Sequence, residues 1–401
     1  MKLDTRTVLK FLIGILLALF LGLTSFILGF AYNYQQTVAS ESTAVAVPAK
    51  FPLMWEAWRL IKNEFYGNIP SAPTLVHGMI KGMLSSLGDP HTIFVDAQPA
   101  QLQANNLAGS YGGIGARVES RNGLLVLLPF QTGPAASAGI QPNDILMKID
   151  DKEITPNMTT DDAEVLLRGD IGSTVHLTLH RVGVDQPIVL DIKREKIDIP
   201  SVEYRMLENT NYGYIRVSQE SSDTAKEFED ALNSLNKNKP AGIVLDLRNN
   251  PGGIFPDPIL SMAGQFLQAN SPVVYEHYRD GTEKTYTSTG SGLDRNIPLV
   301  VLVNAGTASD AEILAGALQD SGRAILVGEK TFGKGSVQAL HELSDKSSIH
   351  VTVATWLTPK HNQIEGTGLN PNLAVPLTPE DAAKGSDPQL DRAMQYLKNG
   401  K

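Results

Sequence analysis

Ser309, Lys330, Lys334 and Gln338 are the residues whose types and spacing could do covalent chemistry. They lie in Asn304-Ala305-Gly306-Thr307-Ala308-Ser309-Asp310-Ala311-Glu312 and, after an apolar run, in Gly328-Glu329-Lys330-Thr331-Phe332-Gly333-Lys334-Gly335-Ser336-Val337-Gln338. A serine hydroxyl is a weak nucleophile until a neighbouring base takes its proton. Histidine is the usual base; His277, His341, His350 and His361 share this half of the chain, none in a recognisable motif. A lysine can serve when burial disfavours its charged form. Lys334, between two glycines, is open to approach, and Phe332 offers an apolar wall. Lys330 is its rival, and residue chemistry alone leaves that choice open. Gln338 falls four residues after Lys334, on the same side of either a helix or a strand. A neutral amide there could orient an amine without recharging it.

Acyl transfer also needs donors for a developing oxyanion. In Leu247-Arg248-Asn249-Asn250-Pro251-Gly252-Gly253 the two glycines would expose backbone N–H groups, and the N–H of Asp310 is the natural second donor. An ordinary turn would also explain Pro251-Gly252-Gly253.

The elements that must position these residues are legible upstream and downstream. The apolar run 299–303 predicts a buried strand, and Ile313, Leu314, Ala317 and Leu318 recur at helical spacing. Ser309 is therefore expected at a strand-to-helix turn, where the helix leaves backbone N–H groups unpaired. Glu312 reads equally as a first-turn acid favoured by the helix dipole and as support for catalysis. Strands expected at 212–217, 242–247, 298–304, 324–328 and 349–356, with helices near 225–235 and 258–267, form an α/β pattern with parallel crossovers.

Earlier in the chain, Met54, Trp58, Ile61 and Phe65 form one helical stripe, and Val76, Ile80, Met83, Leu84 and Leu87 form another, ended by Gly88-Asp89-Pro90. Both read as packing faces, and His77 and His91 as surface or packing histidines. Residues 107–194 are rich in glycine and short strands. They include Tyr111-Gly112-Gly113-Ile114-Gly115-Ala116, a strand at 124–128, a helix at 160–168 and a strand at 174–181 with Val175, Leu177 and Leu179 on one side. Arg168, followed by Gly169, reads as a cation at a helix C-terminus with a left-handed glycine cap. The alternative is a residue that holds substrate or couples domains.

Lys2, Arg6 and Lys10 precede an uncharged, mostly apolar run at 11–31. About 20 such residues cross a bilayer, and the flanking charge keeps the N-terminus inside. An uncleaved signal anchor is expected, followed by a linker at 35–50; a cleaved signal, with Val38-Ala39-Ser40 or Val47-Pro48-Ala49 at its end, is the alternative. The net charge of -9, without a later basic run, argues against a nucleic-acid partner. The absence of cysteine removes disulfides, thiolate metal sites and cysteine nucleophiles.

The stretch Gly133-Pro134-Ala135-Ala136-Ser137-Ala138-Gly139-Ile140-Gln141-Pro142-Asn143-Asp144-Ile145-Leu146 resembles a PDZ domain. Such domains bind extended peptides at a sheet edge. Residues 50–395 as a whole resemble the carboxyl-terminal processing peptidases, on 247–253, 304–312, 328–338, 366–375 and the PDZ segment. The resemblance implies a crotonase/Clp-protease-like α/β peptidase domain at 185–385, carrying an inserted, mostly β PDZ domain at 97–184. An N-terminal helical segment at 51–96 and a C-terminal helix at 386–401 would flank them, behind a cytoplasmic tip and anchor at 1–34.

It further implies Ser309 as nucleophile, Lys334 as general base and Gln338 as its orienting partner. The oxyanion donors would be Gly252, Gly253 and the Asp310 N–H. Gly113-Ile114-Gly115 would capture a substrate carboxylate, with Arg168 as a possible coupling residue. Protein substrates with free C-termini, no metal or organic cofactor, and an extracytoplasmic catalytic part on the cell membrane complete the expectation. The exposed-looking terminal helices, including 388–397, suggest a homodimer.

One position departs from the family, which usually has a small residue where this chain has Asp310. A carboxylate aimed at an oxyanion would oppose catalysis, so its side chain is expected to point away. Two rival functions are a non-catalytic envelope scaffold and a crotonase-like acyl-transfer enzyme acting on small thioesters. Retention of serine, lysine, glutamine and the glycine turn argues against the first. The PDZ segment and export signal argue against the second.

Overall fold

The structure is a computed structural model and describes residues 50–400. The expected anchor at 11–31, the cleavage sites and nearly all of the linker lie outside the described residues. Among the described residues no helix is long and apolar enough to cross a membrane.

The central sheet has six strands in the order Val202–Met206, Tyr212–Val217, Gly242–Asp246, Leu299–Val303, Ile325–Gly328 and Leu373–Ala374. The first pair is antiparallel and the others are parallel. The unbroken apolar run Leu299–Val303 is buried along its whole length, as a parallel strand covered on both faces requires. Strand alternation sends Leu299, Val301 and Val303 to one face, into a core with Phe228, Phe266, Ile313 and Leu314. Val300 and Leu302 go to the other face, where Leu390, Ala393, Met394 and Leu397 of the helix Pro388–Asn399 cover them.

That packing corrects the reading of the C-terminal helix as exposed. Its apolar side is spent on the sheet. Arg248 pins its start by bonding both Asp246 (2.6 Å) and Asp387 (2.8 Å).

A second, antiparallel sheet runs Ile93–Val95, Ser348–Leu357, Pro272–Tyr278 and Glu283–Thr287, with Ser336–Glu342 also paired to Ser348–Leu357. The segment carrying Lys334 and Gln338 belongs to this sheet.

A third, antiparallel sheet, built from Ala116–Arg121, Leu124–Pro129, Asp144–Ile149, Thr174–His180 and Ile188–Lys193, holds the separate core of the PDZ-like segment. Val175, Leu177 and Leu179 are fully buried there, as their alternation requires. Thr159 caps the helix Thr160–Leu167 reciprocally with Asp162. The other end departs from expectation. Arg168 is extended (φ -78°, ψ 163°), and Gly169 donates to the Gly112 carbonyl at 2.9 Å in place of a left-handed cap. Gly169 instead makes room for a neighbouring arginine: an added Cβ would lie 3.0 Å from Arg194 Cζ.

The two early helices are Pro52–Glu64 and Ala72–Ser85. The first has no buried residue and the second buries only Leu84, so both expected packing stripes are largely exposed. Phe65, Val76 and Met83 are each about half exposed, at 58%, 46% and 54%.

Candidate active site

Ser309 immediately precedes the helix Asp310–Asp320, at the carboxyl end of the strand Leu299–Val303. Its backbone lies at φ 56° and ψ -121°, a conformation that costs a non-glycine residue about 1–3 kcal/mol. The surrounding bonds hold it there. Thr307 Oγ1 donates to the Leu247 carbonyl at 2.8 Å, and the Ala308 N–H donates to the Asn250 carbonyl at 2.9 Å. Asn304 Oδ1 accepts from the N–H groups of Asn249 (2.9 Å) and Gly306 (3.0 Å). Two adjacent parallel strand ends are thus laced into one platform. Gly252 and Gly253 fit it because nothing larger can. A Cβ at Gly252 would lie 2.7 Å from Ser309 Cβ, and one at Gly253 would lie 1.8 Å from the Glu220 carbonyl oxygen.

Lys334 reaches the same place from the other sheet. Ser309, Lys334, Gln338, Gly252, Gly253 and Asp310 all line one cleft of about 760 Å³. Lys330 is exposed and does not line it. Phe332 is 62% exposed and is not the apolar wall expected beside Lys334. Ile254, Phe255, Val337, Leu340 and Trp356 supply the apolar lining.

Glu312 ties the two halves together. Oε2 accepts the N–H of Ser309 (3.0 Å) and the N–H of Lys334 (2.8 Å). Oε1 accepts the N–H of Gly333 (2.9 Å) and the Thr331 hydroxyl. Burial pushes its carboxyl above the usual range, against the effect of these hydrogen bonds. It lies in the first turn of its helix and bridges the backbones of Ser309 and Lys334.

Asp310 corrects an expectation. Its side chain does not point away from the oxyanion region, because Oδ2 accepts the Gly253 N–H at 3.1 Å. The Gly252 N–H is also engaged, by Asn250 Oδ1 at 2.9 Å. Of the three expected oxyanion donors, both glycines therefore face acceptors of the protein's own. Asp310 is 3% exposed, and burial pushes its carboxyl up to about 7 even though the Gly253 N–H and the charge of Lys334 favour ionisation. Glu220, fully buried close by, is pushed up to about 8 by burial and by the charge of Asp310. Its Oε1 accepts from Asn250 at 2.8 Å and its Oε2 has no partner.

Gln338 Nε2 donates to Thr352 Oγ1 at 2.8 Å, while its buried Oε1 has no partner. His350, one of four histidines without a motif, also lines the cleft, and burial followed by the charge of Lys334 lowers its pKa. Its placement had no signal in the sequence, since it depends on pairing Ser336–Glu342, which carries Gln338 and Leu340 of the cleft, with Ser348–Leu357.

The PDZ residues gather elsewhere. Gly113 ends the strand Ser110–Gly113, which pairs with Glu195–Asp198. Ile114 is buried, and its carbonyl accepts the Ala135 N–H at 2.7 Å. Gly115 takes a left-handed φ of 71°. Arg168 lies 4.0 Å from the Tyr111 ring and 3.4 Å from Glu164 Oε2, with Nη1 buried and unpartnered. It lines the groove of the PDZ sheet, about 740 Å³, and is not among the residues lining the Ser309 cleft. Asn106, on the helix Ala97–Leu107, lines both. Among the described residues no cluster of side chains could hold a metal ion.

Comparison with known proteins matches residues 211–375 to peptidase family S41 and residues 131–181 to the PDZ domain. Residues 29–99 match the N-terminal domain of the activating protease CtpB. The chain is 37% identical to the carboxy-terminal processing protease CtpA of Bacillus subtilis (strain 168), over 93% of this chain and 77% of that protein. It is 34% identical to CtpB of the same organism, over 85% and 71%. It is 37% identical to a carboxyl-terminal-processing protease of Synechocystis sp. (strain ATCC 27184 / PCC 6803 / Kazusa), over 86% and 82%. Among solved structures, a photosystem II D1 C-terminal processing protease is 30% identical, with a TM-score of 0.47, over 82% of this chain and 94% of that one.

Proposed function

The chain belongs to the carboxy-terminal processing proteases of peptidase family S41 and is a serine peptidase, and from that premise we propose that it cleaves proteins near their C-termini with Ser309 as nucleophile and Lys334 as general base. One observation carries the assignment: a single buried carboxylate, Glu312, binds the backbone of Ser309 and of Lys334 at the wall of one cleft. As the Ser309 oxygen bonds to the substrate carbonyl carbon, its proton passes to Lys334. The oxyanion takes N–H donors from Gly252, Gly253 and Asp310, which requires Asn250 Oδ1 to leave Gly252 and the Asp310 carboxylate to leave Gly253. Lys334 returns the proton to the departing amine as the peptide bond breaks. Water then releases the acyl group, with Lys334 again as base. Gln338 orients the lysine.

The PDZ domain binds the substrate C-terminus through Gly113, Ile114 and Gly115, beside Arg168. Asn106 lines both cavities, so the helix Ala97–Leu107 is the element through which an occupied groove would gate the cleft. The basic and apolar pattern at 2–31 supports a single-pass anchor with the peptidase outside the membrane.

The test compares wild type, Ser309→Ala and Lys334→Ala on an unstructured protein with a free or an amidated C-terminus. Wild type is expected to cleave the free form faster, and each variant to lose at least about 10³-fold. Equal cleavage by all three would remove the assigned pair. Binding without cleavage by any would favour the scaffold reading.

A further inference from the structure

We propose that Glu365 and His91 form a second clamp on the Lys334 segment. The Glu365 carboxylate holds the Gly335 N–H, His91 from the loop before the strand Ile93–Val95 orients that carboxylate, and both are positioning residues for Lys334. This rests on the reading of Lys334 as the base. The need for a clamp follows from the residues around the lysine. Gly333 and Gly335 flank it. A glycine has no side chain to pack and the most backbone freedom to lose, so hydrogen bonds must fix the peptides on either side. Glu312 does this at the N–H groups of Gly333 (2.9 Å) and Lys334 (2.8 Å). With Thr331 and Ser309 as its other donors, each of its oxygens already accepts two bonds, which uses both lone pairs. The Gly335 N–H needs another acceptor.

Glu365 supplies it. Its Oε2 accepts the Gly335 N–H at 2.8 Å. The backbone beside it closes on the same stretch, as the Gly366 N–H donates to the Gly333 carbonyl at 2.9 Å. Both flanking glycines permit this approach. A Cβ at Gly335 would lie 2.3 Å from the Glu365 nitrogen, and one at Gly333 would lie 2.9 Å from the Gly368 nitrogen. Three successive N–H groups, those of Gly333, Lys334 and Gly335, thus end on two carboxylates from distant parts of the chain.

A glutamate stem leaves its carboxylate free to turn unless the second oxygen is also held. His91 Nε2 lies 3.2 Å from Glu365 Oε1, and both side chains are partly buried. His91 is fixed in turn by its loop. Asp89 Oδ1 accepts the His91 N–H at 3.0 Å, and Asp89 Oδ2 accepts the Thr92 hydroxyl at 2.6 Å. Thr92 Oγ1 accepts the Thr352 N–H at 3.0 Å, which docks the loop on the strand Ser348–Leu357. His91, expected as a surface or packing histidine, therefore meets a residue 274 positions away that bonds the peptide next to the base.

The test measures kcat and KM for Glu365→Ala, Glu365→Gln, His91→Ala and the double variant of Glu365→Ala with His91→Ala, on an unstructured protein with a free C-terminus. Lys334→Ala is the control. Glu365→Ala is expected to lower kcat at least about tenfold and His91→Ala about fivefold, each with KM within about twofold, as misplacement of a reacting group does. Glu365→Gln keeps an oxygen for the Gly335 N–H and should stay within about threefold of wild type. The double variant should lose no more than Glu365→Ala alone, because His91 acts through that carboxylate. If Glu365→Ala fails to fold, His91→Ala carries the test. Full kcat in Glu365→Ala or in His91→Ala, or losses that multiply in the double variant, would overturn the inference while Lys334→Ala remains inactive. If Lys334→Ala cleaves as wild type does, the assignment of the base has failed and the inference falls with it.

Discussion

The two halves of the active site are built by opposite means. Ser309 sits where parallel strands end, in a backbone so tightly laced that a strained conformation persists and two glycines admit no other residue. Lys334 sits before Ser336–Glu342, a strand of an antiparallel sheet whose members come from residues far apart in the chain. The serine half is positioned by bonds that lace two adjacent strand ends together, made by the turn's own backbone and short side chains. The lysine half is positioned by side chains reaching in from elsewhere, namely Glu312, Glu365 and Thr352. A turn laced this closely tolerates few changes of its own residues, whereas the Lys334 segment, held by distant side chains, can be disturbed from many places without loss of the fold.

The largest effect that would sharpen this contrast is expected from Glu312→Gln. An amide cannot accept all four donors that the carboxylate serves, so one buried N–H or O–H loses its partner, at about 1–3 kcal/mol. Denaturant unfolding should show that loss, and kcat should fall about 100-fold as the two halves separate. Unchanged activity would mean that the sheets hold their spacing without this carboxylate.

Asp310→Ala should act in the opposite sense, raising kcat/KM several-fold at most, well below the value of about 10²-fold for a complete oxyanion donor. The sign follows from its pKa, raised to about 7. Below that pH the group is largely neutral. Above it the carboxylate is ionised, holds the Gly253 N–H and opposes an oxyanion, so the advantage of the variant should grow as pH rises through about 7. A large loss of activity would instead give the carboxylate a constructive role. Stability should move the same way. Because the folded pKa is raised, the favourable contribution of the neutral group is complete below its ordinary value and is lost as pH rises through about 7, and for Glu220 through about 8. The decline in unfolding free energy between pH 4 and 8 should be shallower in Asp310→Ala, a trend that unfolding curves across this range would check.

The smallest effect is expected from Lys330→Ala. Lys330 is exposed outside the cleft, so kcat/KM should stay within about twofold of wild type. A loss comparable to that of Lys334→Ala would break the assignment of the base.

Much of the frame was legible before any coordinates. The strand Tyr212–Val217 falls where its pattern placed it, and Leu299–Val303 and Asp310–Asp320 put Ser309 at the expected turn. The misreadings share a cause. Gly169 looked like a helix cap but serves Arg194, Phe332 looked like a wall but faces solvent, and the last helix looked exposed but covers the sheet. In each case a local pattern allowed two environments, and the partner that decided between them lies many residues away.

The amino-acid sequence by itself determined the α/β alternation, the strand-to-helix turn that presents Ser309, and the glycines that turn requires. These depend on period-two and period-3.6 patterns and on backbone sterics, which act over a few neighbouring residues. Only the tertiary structure decided that Glu312 bonds the backbones of both Ser309 and Lys334, and that Asp310 occupies the Gly253 N–H. Those contacts unite residues 22 and 57 positions apart. Which acceptor meets which donor at such range is settled by the packing of whole sheets, because the side-chain types alone fit several partners equally well.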